Sequence, residues 1–165
     1  RDLEWFGGDC SLLHVFSNRG ANGIDGVIAS AIGVAIATRQ KTLVLLGDVA
    51  FLHDSSSLTA LADREIDLKI VVTDNDGGGI FHYLPQAEIV SEQVFEKLFG
   101  TPHQTDLLKI AQAHRLATFD CDSVEQLQKS LSTAGSCVIR VRTERVSEVA
   151  FHQQLHELVS SAVLV

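Results

Sequence analysis

The sequence predicts an α/β fold, doubly wound around a mostly parallel sheet with helices on both faces, and two observations carry that prediction. Short apolar runs alternate with segments of helical period along the whole chain. Two of those runs, Thr42–Leu46 and Leu68–Thr73, end in clusters of small and acidic residues, Gly47-Asp48 and Asp74-Asn75-Asp76-Gly77-Gly78-Gly79. Between them Phe51, Leu58, Leu61 and Ala62 recur at roughly helical spacing over 51–64, so the unit reads as strand, crossover helix, strand, with the strands as parallel neighbours. Asp48 and Asn75 then share the carboxyl edge of the sheet, where ligands bind in open α/β folds. Two oxygen-bearing side chains and the carbonyl of Gly77 at that edge suit a hard cation such as Mg²⁺ carrying a phosphate. Val49-Ala50-Phe51 would open the crossover helix with its free N–H groups toward that phosphate.

The other elements follow in order. Residues 1–13 show no period and read as an irregular lead-in, and His14–Ser17 is expected to be the first strand. It runs into Ser17-Asn18-Arg19-Gly20-Ala21-Asn22-Gly23-Ile24-Asp25-Gly26, a loop of glycines and small polar residues. Asp25–Arg39 reads as a helix apolar nearly all round, which should be buried. After the second strand comes a long connection, 74–90, of the kind that is often functional. Ser91-Glu92-Gln93 opens a helix that Gly100-Thr101-Pro102 ends. Asp106–His114 reads as a helix, Leu116–Phe119 as a strand, and Ser123 with Gln126 as the capping box of a helix through Leu131. Ser136–Val141 is the last strand and Val146–Val163 a final amphipathic helix. No repeat or linker divides the chain, so residues 1–165 are expected to form one domain.

Composition bounds the function. The chain has 165 residues, 45% of them hydrophobic, and a mean hydropathy of +0.17, enough for a proper core. No apolar run approaches the ~18–20 residues that span a bilayer. A net charge of −8 and a pI near 5.2 argue against nucleic acid as a partner. Cys10, Cys121 and Cys137 are odd in number and widely spaced, which predicts reduced thiols and a cytoplasmic protein. The seven histidines share no metal-ligand spacing; His152 and His156 are four apart but lack a third ligand. Asp54 and Asp76 are acids near the proposed edge without an evident role, Asp76 being expected at most to accept loop N–H bonds. The chain opens on Arg1 and contains no methionine, so a fragment of a longer protein is expected.

Gly47-Asp48, followed after 27 positions by Asn75, resembles the cofactor motif of the thiamine-diphosphate enzymes. Val49 stands where that motif has a third glycine, and Asp74 where it has the first of two asparagines. The stretches Ser17–Gly26 and Asn75-Asp76-Gly77-Gly78-Gly79-Ile80-Phe81 are similar to one branch of that superfamily, the 2-succinyl-5-enolpyruvyl-6-hydroxy-3-cyclohexene-1-carboxylate synthases. The resemblance implies the C-terminal, diphosphate-binding domain of a three-domain protein. It implies that Asp48, Asn75 and the Gly77 carbonyl hold Mg²⁺ or Mn²⁺. Gly23, Gly47, Val49, Ala50 and Ile80 would line the thiamine diphosphate, and Ile24, with the stiff χ1 of a β-branched side chain, would wedge beneath it. Arg1 and Arg19 would meet substrate carboxylates, and Ile80, Phe81 and Leu84 would wall the substrate pocket. The implied reaction is decarboxylation of 2-oxoglutarate and addition of the remaining fragment to isochorismate, in menaquinone or phylloquinone biosynthesis, by a homodimer or homotetramer. The activating glutamate would come from the N-terminal pyrimidine-binding domain of a partner subunit, so the isolated fragment should be inactive. The alternatives are another thiamine-diphosphate decarboxylase or carboligase of the acetolactate-synthase kind, or a non-catalytic nucleotide-binding or assembly domain. Against nucleotide binding, the chain has no Gly-x-Gly-x-x-Gly and no Walker motif.

Overall fold

The computed structural model describes residues 13–18 and 23–163, leaving Arg1, Cys10 and Arg19 outside the described residues. Helix α1 is Val27–Thr38, followed by strand β1, Thr42–Gly47, and a short helix α2, Asp48–His53. A 3₁₀ turn, Ser55–Ala60, leads to β2, Leu68–Asp74, and a second one spans Gly79–Tyr83. Two single-turn helices follow, α3 at Gln86–Ile89 and α4 at Glu92–Phe95, the latter widening into a π turn over Glu96–Gly100. The remainder is α5 (Leu107–Ala113), β3 (Ala117–Cys121), α6 (Val124–Leu131), β4 (Cys137–Arg142) and α7 (Arg145–Val163).

The four strands form one sheet in the order β1-β2-β4-β3, parallel throughout. Side chains alternate across it, as a period of two requires. One face buries Leu46, Ile70, Val72 and Val138 against α1, α2 and α5. The other buries Val71, Cys137 and Ile139 beneath Leu127 and Leu131 of α6. β2 is therefore covered on both sides, which explains its apolar run Ile70-Val71-Val72. Its one cation, Lys69, is fully buried, with Nζ against Asp67 at 2.6 Å and against the carbonyls of Thr133 (2.7 Å) and Gly135.

Four expectations need correction. His14–Ser17 is not a strand: these residues join no ladder, and Val15 and Phe16 stand exposed. α1 is buried along one face only, through Ile28, Ala31, Ile32 and Ala35, because it meets a single face of the sheet; Ile36 is exposed. The crossover is two pieces rather than one helix. At the break Ser55 Oγ donates to the Leu52 carbonyl at 3.0 Å, a group that a continuing helix would pair with a backbone N–H, and Ser57 Oγ donates to the Asp54 side chain at 2.6 Å. Finally, α7 is not amphipathic in effect, since Phe151, Leu158 and Val159 are exposed. The cap of α6 is as expected at Ser123, whose Oγ accepts the Gln126 N–H, while Gln126 Oε1 reaches back one residue further, to the Asp122 N–H. Among the described residues no helix is long and apolar enough to cross a membrane.

Candidate functional site

β1 and β2 run in register, Gly47 opposite Thr73, so Asp48 and Asn75 leave neighbouring strands at the same edge. β1 turns directly into α2, which holds Asp48 at the junction with 2% of its surface exposed. Burying a carboxylate is costly unless donors replace water. Four surround this one. Oδ1 accepts the Val49 N–H at 2.7 Å. Oδ2 accepts the N–H groups of Gly77 (2.8 Å) and Asn75 (3.2 Å) and faces His103 Nε2 at 3.1 Å.

The loop after β2 is shaped by close approach. Gly77 has φ +135°, and a Cβ there would overlap the Gly100 carbonyl oxygen. Gly78 N–H donates to that same carbonyl at 2.7 Å, so the loop lies flat on the 99–101 turn. Asp76, Thr101 and Gln104 are all left-handed, with φ of 58°, 41° and 49°. Backbone strain gathered in this way marks a place that the surroundings over-determine. The Asn75 side chain passes over Gly79, where a Cβ would come within 2.5 Å of Nδ2. Its Oδ1 is buried and has no hydrogen-bond partner among the described residues. An orphaned buried acceptor costs about 1–3 kcal/mol, which a bound cation would recover. Among the described residues the Gly77 carbonyl accepts only the Gly79 N–H, at 3.0 Å, which leaves it a second lone pair. A carboxylate, an amide oxygen and a carbonyl make the all-oxygen set that a hard divalent ion requires, so the residues fit one.

His103, Asp74 and Arg140, none of them in the expected site, belong to the same edge. His103, Asp74 and Asp48 bring ligand-capable atoms within 4.8 Å of one another. His103 lies 55 positions from Asp48 and reaches it only because the turn after Pro102 packs on the glycine loop, so no spacing could have revealed it. Arg140, on β4 beside β2, donates two bonds to Asp120 (3.0 and 2.6 Å) and approaches Asp74 at 3.8 Å. Desolvation pushes the Asp74 carboxyl up and the charge of Asp48 adds to it, against the Asp76 N–H, His103 and Arg140. A cleft of about 410 Å³ opens beside these groups, lined by Asp74, Asn75, Asp76, His103, Arg140 and Arg142.

Residues 11–141 match the family model described as thiamine pyrophosphate enzyme, C-terminal TPP binding domain. The chain belongs to the thiamine pyrophosphate enzyme family. It is 41% identical to the 2-succinyl-5-enolpyruvyl-6-hydroxy-3-cyclohexene-1-carboxylate synthase of Chloroflexus aurantiacus, over 99% of this chain and 28% of that protein. The synthases of Lysinibacillus sphaericus and Myxococcus xanthus are each 38% identical, over 87% and 94% of this chain and 25% and 27% of their own length. The chain thus spans about a quarter of the length of these curated relatives.

In this thiamine pyrophosphate-binding domain the remaining expected site residues distribute as follows. Gly47, Asp48, Val49, Asn75 and Gly77 meet at the edge, whereas Ala50 turns into the core. The Val49 N–H serves Asp48 itself rather than standing open. Gly23 and Ile24 form the turn before α1, with Ile24 half-buried against the core; Asp25 Oδ1 lies 3.4 Å from His53 Nε2 at the end of α2. Ile80 and Phe81 follow Gly79 on the 3₁₀ turn and Leu84 comes just after it; they are 68%, 38% and 42% exposed, with Phe81 against the Phe99 ring. Arg1 and Arg19 fall outside the described residues. The two unassigned acids have structural roles. Asp54 Oδ2 caps α1 by accepting the Ala29 N–H at 2.9 Å, and Asp76 Oδ1 accepts the Gln104 N–H at 2.7 Å.

Proposed function

We propose that this chain is the diphosphate- and metal-holding domain of an enzyme that decarboxylates 2-oxoglutarate and adds the remaining fragment to isochorismate, in menaquinone or phylloquinone biosynthesis. The observation that carries the metal half is the buried Oδ1 of Asn75, without a partner among the described residues, beside the buried carboxylate of Asp48. The substrates rest on the names of the relatives and on the Ser17–Gly26 stretch. Asp48, Asn75 and the Gly77 carbonyl would hold Mg²⁺ or Mn²⁺, and through it the diphosphate. When bound, thiamine diphosphate supplies the nucleophilic carbon and electron sink that loss of CO₂ from a 2-oxoacid requires.

The chain's own residues bind and orient. Ile24 would pack against the cofactor and help to orient it. The outward-facing Ile80, Phe81 and Leu84 exclude water from the substrate side. Arg19 and Arg1 give the polyanionic substrates charge-assisted, two-pronged bonds in an otherwise acidic protein. The pyrimidine-binding domain of a partner subunit completes the site, so the chain alone turns over no substrate.

The test uses the full-length protein with thiamine diphosphate and Mg²⁺, following isochorismate consumption at saturating 2-oxoglutarate. Asp48→Ala should abolish turnover, with partial return at high Mg²⁺ and cofactor. Activity on pyruvate but not isochorismate would discard the substrates and keep the cofactor site. No cofactor-dependent activity on either would overturn the proposal.

A further inference from the structure

The group of ligand-capable atoms at the strand edge contains an imidazole, and its hydrogen bonds determine what that imidazole can do. His103 Nδ1 accepts the Thr105 N–H at 3.0 Å. A ring nitrogen that accepts a backbone N–H carries no proton, so in the neutral ring the proton sits on Nε2. Nε2 faces Asp48 Oδ2 at 3.1 Å. A bare lone pair there would oppose a carboxylate lone pair, whereas an N–H completes a charge-assisted bond. Both nitrogens are thereby committed, one to backbone and one to Asp48, and neither lone pair is open to an ion.

The ring has little freedom to change roles. Its side chain is 14% exposed. Its turn is pinned on each side, by Thr105 Oγ1 donating to the His103 carbonyl (3.0 Å) and by the Gln104 N–H to Asp76 (2.7 Å). Asp74 and Asp76 also face it, at 4.0 and 3.5 Å. At Asp48 the bonds among the described residues are uneven: Oδ2 faces three donors, and Oδ1 accepts only the Val49 N–H.

We infer that His103 is a positioning residue for the metal-binding carboxylate: its Nε2–H saturates Oδ2 of Asp48 and leaves Oδ1 to the cation, while the imidazole itself does not ligate the ion. The inference rests on the metal reading proposed above. Partners of this kind orient a metal-binding carboxylate, and their loss costs about 10–100-fold in metal affinity.

The experiment uses the full-length protein with thiamine diphosphate and Mn²⁺ as the probe. Mn²⁺ affinity is read by electron paramagnetic resonance for wild type, His103→Ala and His103→Gln. Electron spin-echo spectra of wild type are recorded with and without ¹⁵N-histidine labelling. His103→Ala should bind Mn²⁺ about 10–100-fold more weakly. His103→Gln, whose amide N–H can replace Nε2–H, should regain most of that, and the label should leave the spin-echo spectrum unchanged. Three results would each overturn the inference: a directly coupled histidine nitrogen in wild type, an His103→Ala affinity equal to wild type, or a folded His103→Gln as weak as His103→Ala. If His103→Ala fails to fold, the wild-type spectra and His103→Gln still decide. A wild type that binds no Mn²⁺ overturns the metal reading and this inference together, and so is told apart from failure of the histidine role alone.

Discussion

Glycines 77 and 79 sit two residues apart and are required for different reasons, which makes them separable by mutation. Gly77 combines a φ of +135° with contact against the Gly100 carbonyl, so Gly77→Ala strains backbone against backbone. It should lower stability by about 2–4 kcal/mol, read as the urea midpoint. Gly79→Ala collides with the amide of Asn75, a side chain that can move, and makes ordinary contact with Arg145 Cγ. It should unfold close to wild type, yet weaken Mn²⁺ binding by about tenfold by displacing the Asn75 oxygen. Asp120 carries a pH signature. The two bonds from Arg140 hold its carboxyl below the ordinary 3.8, against some desolvation. A depressed carboxyl adds stability that is complete above that value and lost as pH falls through the folded one. Asp120→Asn should therefore show a small deficit in Tm at neutral pH that closes as pH is taken below about 3.8.

The elements around the site depend on one another more than on their own propensities. The π turn Glu96–Gly100 is closed by the Thr101 N–H to the Glu96 carbonyl (2.6 Å) and held by Arg145 of α7, whose Nη2 lies 2.8 Å from Glu96 Oε2. The same guanidinium sits over Gly77 and Gly100, so α7 braces the glycine loop from outside. A double-mutant cycle of Glu96→Gln with Arg145→Ala should give a coupling of about 1–2 kcal/mol in urea unfolding, since the pair is largely screened from water. Tyr83 and His152, with Oη and Nδ1 2.7 Å apart, tie the 3₁₀ turn of Ile80 and Phe81 to α7 in the same way. Such links join residues far apart in the chain. Local pattern revealed the helix start at Ser91 and the break at Gly100-Thr101-Pro102, but not the π turn between them or the split of the crossover at Asp54.

Across the whole molecule, stability hinges on the central strand. Lys69 is buried in β2 with three oxygen partners, one of them Asp67. Removing the ammonium takes a donor from a carboxylate and two carbonyls, so Lys69→Ala should cost about 3–5 kcal/mol, measured by chemical denaturation. In the sequence this lysine interrupts an apolar run and looks like the outward residue of a strand. Its burial follows from β4 lying next to β2, which brings the 133–135 turn over its end.

What the sequence determined by itself was whatever local chemistry encodes: the alternation of strands and helices, the parallel pairing of β1 and β2, and the shared edge of Asp48, Asn75 and Gly77. These survive because a strand and its crossover leave little choice of neighbour, and because an acid or amide just past a strand has one edge to occupy. Tertiary structure alone decided the insertion of β4 between β2 and β3, the caps made by Asp54, the burial of Lys69 and the arrival of His103 at Asp48. Each of these depends on which distant segments pack together, and packing is settled by the fit of whole surfaces, which no local spacing records.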